Sequence, residues 1–205
     1  MYDRETQSLW NTTWGVPVIG PLVGKGIELR RSYVVTTTWG EWKRRHPDTS
    51  VLSLETGHQR DYGEGVAYHD YFATDELMFE VPNIDDRLKN KDEILALVFS
   101  EASPDTLAIS SEFLDGNPVY QDSLSGQEFV VLTDVSGANR VYASAGKTIV
   151  EYDGDRRAVD QSGGEWMVRE DALIGPDGEE MTRLPAHRAF WFGWYAANPD
   201  TRLVK

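Results

Sequence analysis

The sequence predicts a β-rich α+β fold made of two related units, each with antiparallel strands and one short helix. Three observations carry this. The motif Trp39-x-x-Trp42-x-x-x-x-Pro47-Asp48-Thr49 returns as Trp191-x-x-Trp194-x-x-x-x-Pro199-Asp200-Thr201. Upstream of each copy stands a second matched pair: Trp10 with Ile19-Gly20-Pro21, and Trp166 with Ile174-Gly175-Pro176. Between them run short apolar segments separated by Gly-containing turns, the pattern of antiparallel strands. Rare residues repeated in the same order and at near-equal spacing argue for duplication of one structural unit. The copies are unequal. Nine residues precede Trp10, against about 76 between Asn90 and Trp166, so the first unit reads as N-terminally truncated. The expected organisation is a truncated unit over 1–52, an ordered connector over 53–90 and a complete unit over 91–205.

Residues 1–35 hold short strand-like runs broken by Gly15, Pro17, Gly20-Pro21, Gly24 and Gly26, which predicts strands and tight turns. Thr38 followed by Glu41 has capping-box spacing, so a helix is expected from about Trp39 to Arg45. Pro47 ends it by disfavouring helical backbone at the residue before it. The stretch 53–90 is polar and rich in Gly, Asp and Tyr, and matches nothing in the second unit. Ile94–Phe99 suits a buried strand. Phe129–Leu132, Arg140–Tyr142 and Thr148–Tyr152 read as an antiparallel meander turning at Ser136-Gly137 and Ala145-Gly146. The last helix is expected over Arg188–Ala197, with Phe190, Trp191, Trp194 and Tyr195 on one wide apolar face and His187 at its start.

The net charge of −14 and pI of about 4.6 oppose binding to phosphate backbones and to anionic membranes, so no nucleic-acid partner is expected. Six Lys stand against fourteen Arg. This acid-rich, Lys-poor composition suits a salt-adapted surface, where ions screen self-repulsion. Without cysteine the chain makes no disulfide, thiolate nucleophile or Cys-ligated metal site. No apolar run approaches the roughly 20 residues of a membrane span, and the N-terminal Met1-Tyr2-Asp3-Arg4-Glu5 lacks signal-peptide character.

No complete catalytic constellation stands out. The ligand-binding candidates are His58, Arg60, Asp61 and Tyr62 in the connector, with His187 near the C-terminal helix, because imidazole beside carboxylates serves as a ligand or general base. His58 and His69 have no recognised metal spacing. Asp153-Gly154-Asp155 and Asp177-Gly178-Glu179-Glu180 lack the ordered oxygen ligands of a calcium loop; turn chemistry accounts for them. No phosphate loop or Gly-x-Ser-x-Gly elbow is present. No metal or cofactor is expected.

Several stretches together resemble the bacterial and archaeal family known as domain of unknown function 3179. They are Met1-Tyr2-Asp3-Arg4-Glu5-Thr6, Ser8-Leu9-Trp10, Ile19-Gly20-Pro21-Leu22, Trp39-Gly40-Glu41-Trp42, His46-Pro47-Asp48-Thr49, Thr56-Gly57-His58-x-Arg60-Asp61-Tyr62-Gly63, Asp85-Asp86-Arg87-Leu88 and His187-x-Ala189-Phe190-Trp191-Phe192-x-Trp194. The resemblance spans nearly the whole chain and supplies no catalytic residues. It implies an extracytoplasmic setting and, in full-length relatives, an upstream leader with a Cys-Pro-x-Cys-type motif. Two function classes follow: a non-catalytic binding or structural module, or a metal- or redox-linked enzyme with its centre between the units, incomplete here. A truncated first unit also predicts uncovered strand edges or apolar surface. Dimerisation through that unit, packing of 1–52 onto the second unit, or poor solubility is then expected.

Overall fold

The computed structural model describes residues 1–12, 14–99, 105–144 and 146–205. Ala145, part of one expected turn, lies outside the described residues. The chain begins with a small antiparallel sheet of β1 (Tyr2–Asp3), β2 (Ser8–Asn11) and β3 (Val16–Ile19). Helices α1 (Trp39–Arg45) and α2 (His69–Phe72) are the only regular elements of the next seventy residues. There follow β4 (Glu93–Leu97), β5 (Leu107–Ser110), α3 (Ser111–Gly116), β6 (Val119–Leu124), β7 (Gln127–Thr133), β8 (Asn139–Ala143), β9 (Ile149–Tyr152) and β10 (Arg157–Asp160). β11 (Glu165–Val168), β12 (Ala172–Ile174), β13 (Glu180–Thr182), β14 (Ala186–Phe190), α4 (Trp191–Ala197) and β15 (Arg202–Val204) complete the order.

Three larger sheets stack in layers. One has order β14-β4-β5-β15, one is the meander β6-β7-β8, and one runs β13-β12-β11-β10-β9. Every pairing is antiparallel except β15 with β5. The alternation of side chains along a strand explains the layering. On β4, Leu95 and Leu97 face the meander, where they meet Phe129 and Val131, while Ile94 and Ala96 face Trp191 and Trp194 of α4. On β7, Val130 and Leu132 face the five-stranded sheet and pack with Trp166, Leu173 and Met181. The two runs that read as uninterrupted apolar stretches are thus the strands buried on both faces.

Two expectations are corrected. The expected meander through Tyr152 divides: β8 ends one sheet and β9 heads the next, because β9 pairs with β10 instead. The last helix starts at Trp191 rather than Arg188. Arg188–Phe190 belong to β14, whose register sets His187 opposite Ala96 and Arg188 opposite Leu95. Long-range strand pairing overrides the local helical pattern, so His187 is a strand residue and not a helix start.

The two tryptophan helices share their local geometry. α1 spans Trp39–Arg45 as expected, and Thr38 Oγ1 accepts from the Glu41 amide at 3.3 Å. Glu41 does not reach back to complete the capping box; it pairs with Arg44 and Arg45. Trp42 Nε1 donates to Thr49 Oγ1 at 3.0 Å, and Trp194 Nε1 to Thr201 Oγ1 at 2.9 Å. The residues closing the helices, His46 and Asn198, have φ/ψ of −129°/70° and −137°/68°. The motif Trp-x-x-x-x-Pro-Asp-Thr therefore encodes a helix stop latched by an indole-to-threonine bond. Surroundings differ: Trp191 and Trp194 are buried, whereas Trp39 and Trp42 are exposed.

An ion-pair network docks α1 against the layered body. Asp134 and Arg140 are fully buried and meet at 2.7 Å, and Arg140 also holds Glu170 at 2.7 Å. Arg45 joins Asp155 at 3.0 Å, Glu41 at 2.5 Å and Asp134 at 3.7 Å. Asp134 Oδ1 further accepts from the Ser136 amide and hydroxyl and from the Ala138 amide, so a buried charge is fully satisfied. Hydrogen bonds from Arg44 and Arg45 bring the Glu41 carboxyl down to about 2. Burial pushes Asp134 and Glu170 up, but hydrogen bonds, from Ser136 and then Arg140 to Asp134 and from Arg140 to Glu170, outweigh it and hold both below the ordinary range.

These carboxyls bind protons more readily unfolded than folded, so stability is complete above their ordinary range and falls as pH drops from about 4.5 towards 2. Urea unfolding at stepped pH checks this. Arg140→Met strands Asp134 and costs about 3–5 kcal/mol, while Arg157→Met, which breaks an exposed pair with Glu165, costs about 1 kcal/mol or less.

Candidate functional site

A cleft of about 500 Å³ lies where the N-terminal sheet meets the free edge of the four-stranded sheet. Its floor is β4 and its extension, through Ala96 and Val98, with Ala186 and His187 of β14. His187 sits across from Ala96 in the strand register, so a small side chain leaves room beside the imidazole. Trp194 packs edge-on against the same ring at 6.0 Å between centroids.

The wall is a strap, residues 29–34, held by backbone bonds at both ends. The Leu29 amide donates to Gly15 O at 2.8 Å, and the Val34 amide to Ala186 O at 3.0 Å. Gly15 is required at the first anchor. Its φ is +72°, and a Cβ there would stand 2.7 Å from Leu29 O, a left-handed position with no space for a side chain. The Asn11 side chain accepts from the Trp14 amide at 3.0 Å and its carbonyl accepts from the Gly15 amide, which shapes the β2–β3 turn behind the strap.

The cleft is mainly apolar, with Met1, Leu29, Val34, Val98 and Pro185 on its walls. Among the described residues its ionisable side chains are Arg30, Arg31 and His187, and none that lines it is Asp or Glu. Burial holds His187 below the ordinary histidine value, so the ring is neutral at neutral pH and able to donate from one nitrogen and accept at the other. Nη1 of Arg31 is buried and has no hydrogen-bond partner among the described residues.

The structure divides the sequence candidates. His187 lines the cleft; His58, Arg60, Asp61 and Tyr62 do not. Those four are exposed in the stretch between α1 and α2, where Asp61 Oδ1 accepts from the Gly63 amide and the Tyr62 hydroxyl meets Thr56 Oγ1 at 2.8 Å. Each bond shapes the local turn. Asp153 Oδ1 likewise accepts from three successive amides, those of Asp155, Arg156 and Arg157, the turn chemistry expected of that segment. Among the described residues no group of three or more His, Asp or Glu is placed to hold a metal ion, and no helix is long and apolar enough to cross a membrane. Arg30 and Arg31 escaped the motif reading. Their signal was an adjacent arginine pair in the one basic stretch of an acidic chain: residues 1–52 hold seven Lys and Arg against five Asp and Glu, the rest thirteen against twenty-nine.

Comparison with curated proteins and with solved structures found no match. A family model described as Protein of unknown function (DUF3179) matches residues 1–201. The stretches that suggested this resemblance run from Met1 to Trp194, within that match, and the chain belongs to the DUF3179 family.

Proposed function

We propose that this chain is a non-catalytic binding module, built from a short first unit (1–52), a connector (53–90) and a second unit (91–205), which takes a small molecule in the cleft between the first and second units. The observation that carries this reading is the cleft itself. Its volume falls within the roughly 300–1,000 Å³ typical of ligand pockets, its lining is apolar with a few convergent polar groups, and one of them is a buried arginine nitrogen without a partner. The shared indole-to-threonine latch of α1 and α4 supports the two-unit reading.

The neutral, environment-sensitive dye N-phenyl-1-naphthylamine tests the cleft. Saturable binding with one site per chain is expected. Ser32→Trp, which fills the cleft mouth, and Gly15→Val, which breaks the strap anchor, weaken it by about tenfold or more, with circular dichroism confirming folded protein. Non-saturable binding, or binding indifferent to both changes, would overturn the reading.

The unit reading also bears on partners. Among the described residues, 22 of 25 exposed large apolar side chains lie within 1–84, more than a monomer surface ordinarily leaves uncovered. Association of two copies through this segment is the expected outcome. Sedimentation equilibrium across a hundredfold concentration range checks it: Trp39→Glu with Trp42→Glu shifts the equilibrium to monomer, and a wild-type monomer throughout removes the proposal.

A further inference from the structure

The cleft's electrostatics name a ligand class, and this inference rests on the binding reading above. We propose that the cleft receives an amphipathic monocarboxylate, its carboxylate held by Arg31 and Arg30 and its apolar body lying along Val98, Ala96 and Val34. The chain has 34 carboxylates against 20 Lys and Arg, and nine of its fourteen arginines make ion pairs among the described residues. Arg30 and Arg31 make none, and they are adjacent on one wall of one cleft. A guanidinium nitrogen buried without a partner is costly, and in so acidic a protein a nearby carboxylate would be an easy remedy. Among the described residues no acid lines the cleft, which leaves the fork of donors open to a carboxylate from outside.

The rest of the lining limits that anion to one charge on an apolar frame. His187 is kept neutral by its surroundings and adds a hydrogen bond rather than a third positive charge beside the two guanidiniums. The strongly acidic remainder of the chain opposes entry of a dianion. Apolar walls favour an aliphatic or aromatic body over a polyol, which would leave its hydroxyls unpaired.

Isothermal titration calorimetry of the full chain with octanoate, octanol, octylammonium and octyl phosphate, all below their micelle concentrations, tests this. Octanoate is expected to bind at least about tenfold tighter than octanol, with octylammonium weakest. Arg31→Gln lowers the octanoate-to-octanol affinity ratio by about tenfold, and Arg31→Lys restores only part of it, because the ammonium lacks the planar fork. Equal binding of octanoate and octanol, or an unchanged ratio in Arg31→Gln, overturns the carboxylate assignment. Octyl phosphate binding tighter than octanoate overturns it in favour of a phosphate ester. Dye binding that persists while octanoate fails leaves the cleft a binding site and sinks only the ligand class. Failure of both sinks the binding reading itself.

Discussion

The buried contact between Asp134 and Arg140 is the constraint on which the rest of the structure depends. It lies at the turn between β7 and β8, the point where the central meander must present one face to each neighbouring layer. Arg140 crosses from the meander to Glu170 beyond β11, and Arg45 brings α1 to Asp155 and towards the same aspartate. One charge cluster therefore ties three otherwise separate parts: the meander, the five-stranded sheet and the N-terminal helix. Apolar packing supplies most of the stabilisation in the layers, but packing is tolerant of small slips. A fully hydrogen-bonded buried pair is not, because any slip strands a charge. The network thus contributes to fixing where α1 docks more than it adds to total stability.

Docking α1 in that place has consequences downstream. The chain leading into the helix must pass from the β2–β3 turn to the edge of β14. The segment 29–34 makes that crossing, and it encloses the cleft on its way. The cleft is in this sense a by-product of topology: an edge strand left open, a helix anchored elsewhere and a short span between.

Much of this was legible in the sequence. The doubled Trp-x-x-Trp…Pro-Asp-Thr motif located α1, because a cap, a helix former run and a proline stop are all local signals. Ile94–Phe99 and Phe129–Leu132 were legible as buried strands because both of their faces are covered, which removes alternation. What stayed hidden was non-local. Arg188–Phe190 carry a helix-like pattern yet pair with β4, and no local signal records a partner ninety residues away. α3, capped by Ser110, and the parallel strand β15 were missed for the same reason: each is short, and its stability comes from β5 and the layers around it. For the cleft, His187 was named for the wrong position, as a helix start. The candidates His58, Arg60, Asp61 and Tyr62 drew notice through chemical type alone, which says nothing about convergence in space. Arg30 and Arg31 fit no motif, since their meaning depends on what fails to surround them.

The strap is anchored at both ends by main-chain hydrogen bonds, and its one side-chain tie is the Arg183 guanidinium stacked on Tyr33 at 5.0 Å among the described residues. The amides of Leu29 and Val34 carry both anchors, and Gly15 in the β2–β3 turn is fixed in identity by its backbone. Positions 30–32 take no part in these ties, so their side chains are free to vary without loosening them. Members of such a family can exchange the groups that face the cleft without disturbing the fold that presents them. Specificity and architecture are separately heritable here, and the three consecutive positions 30–32 are where divergence in ligand preference would be written.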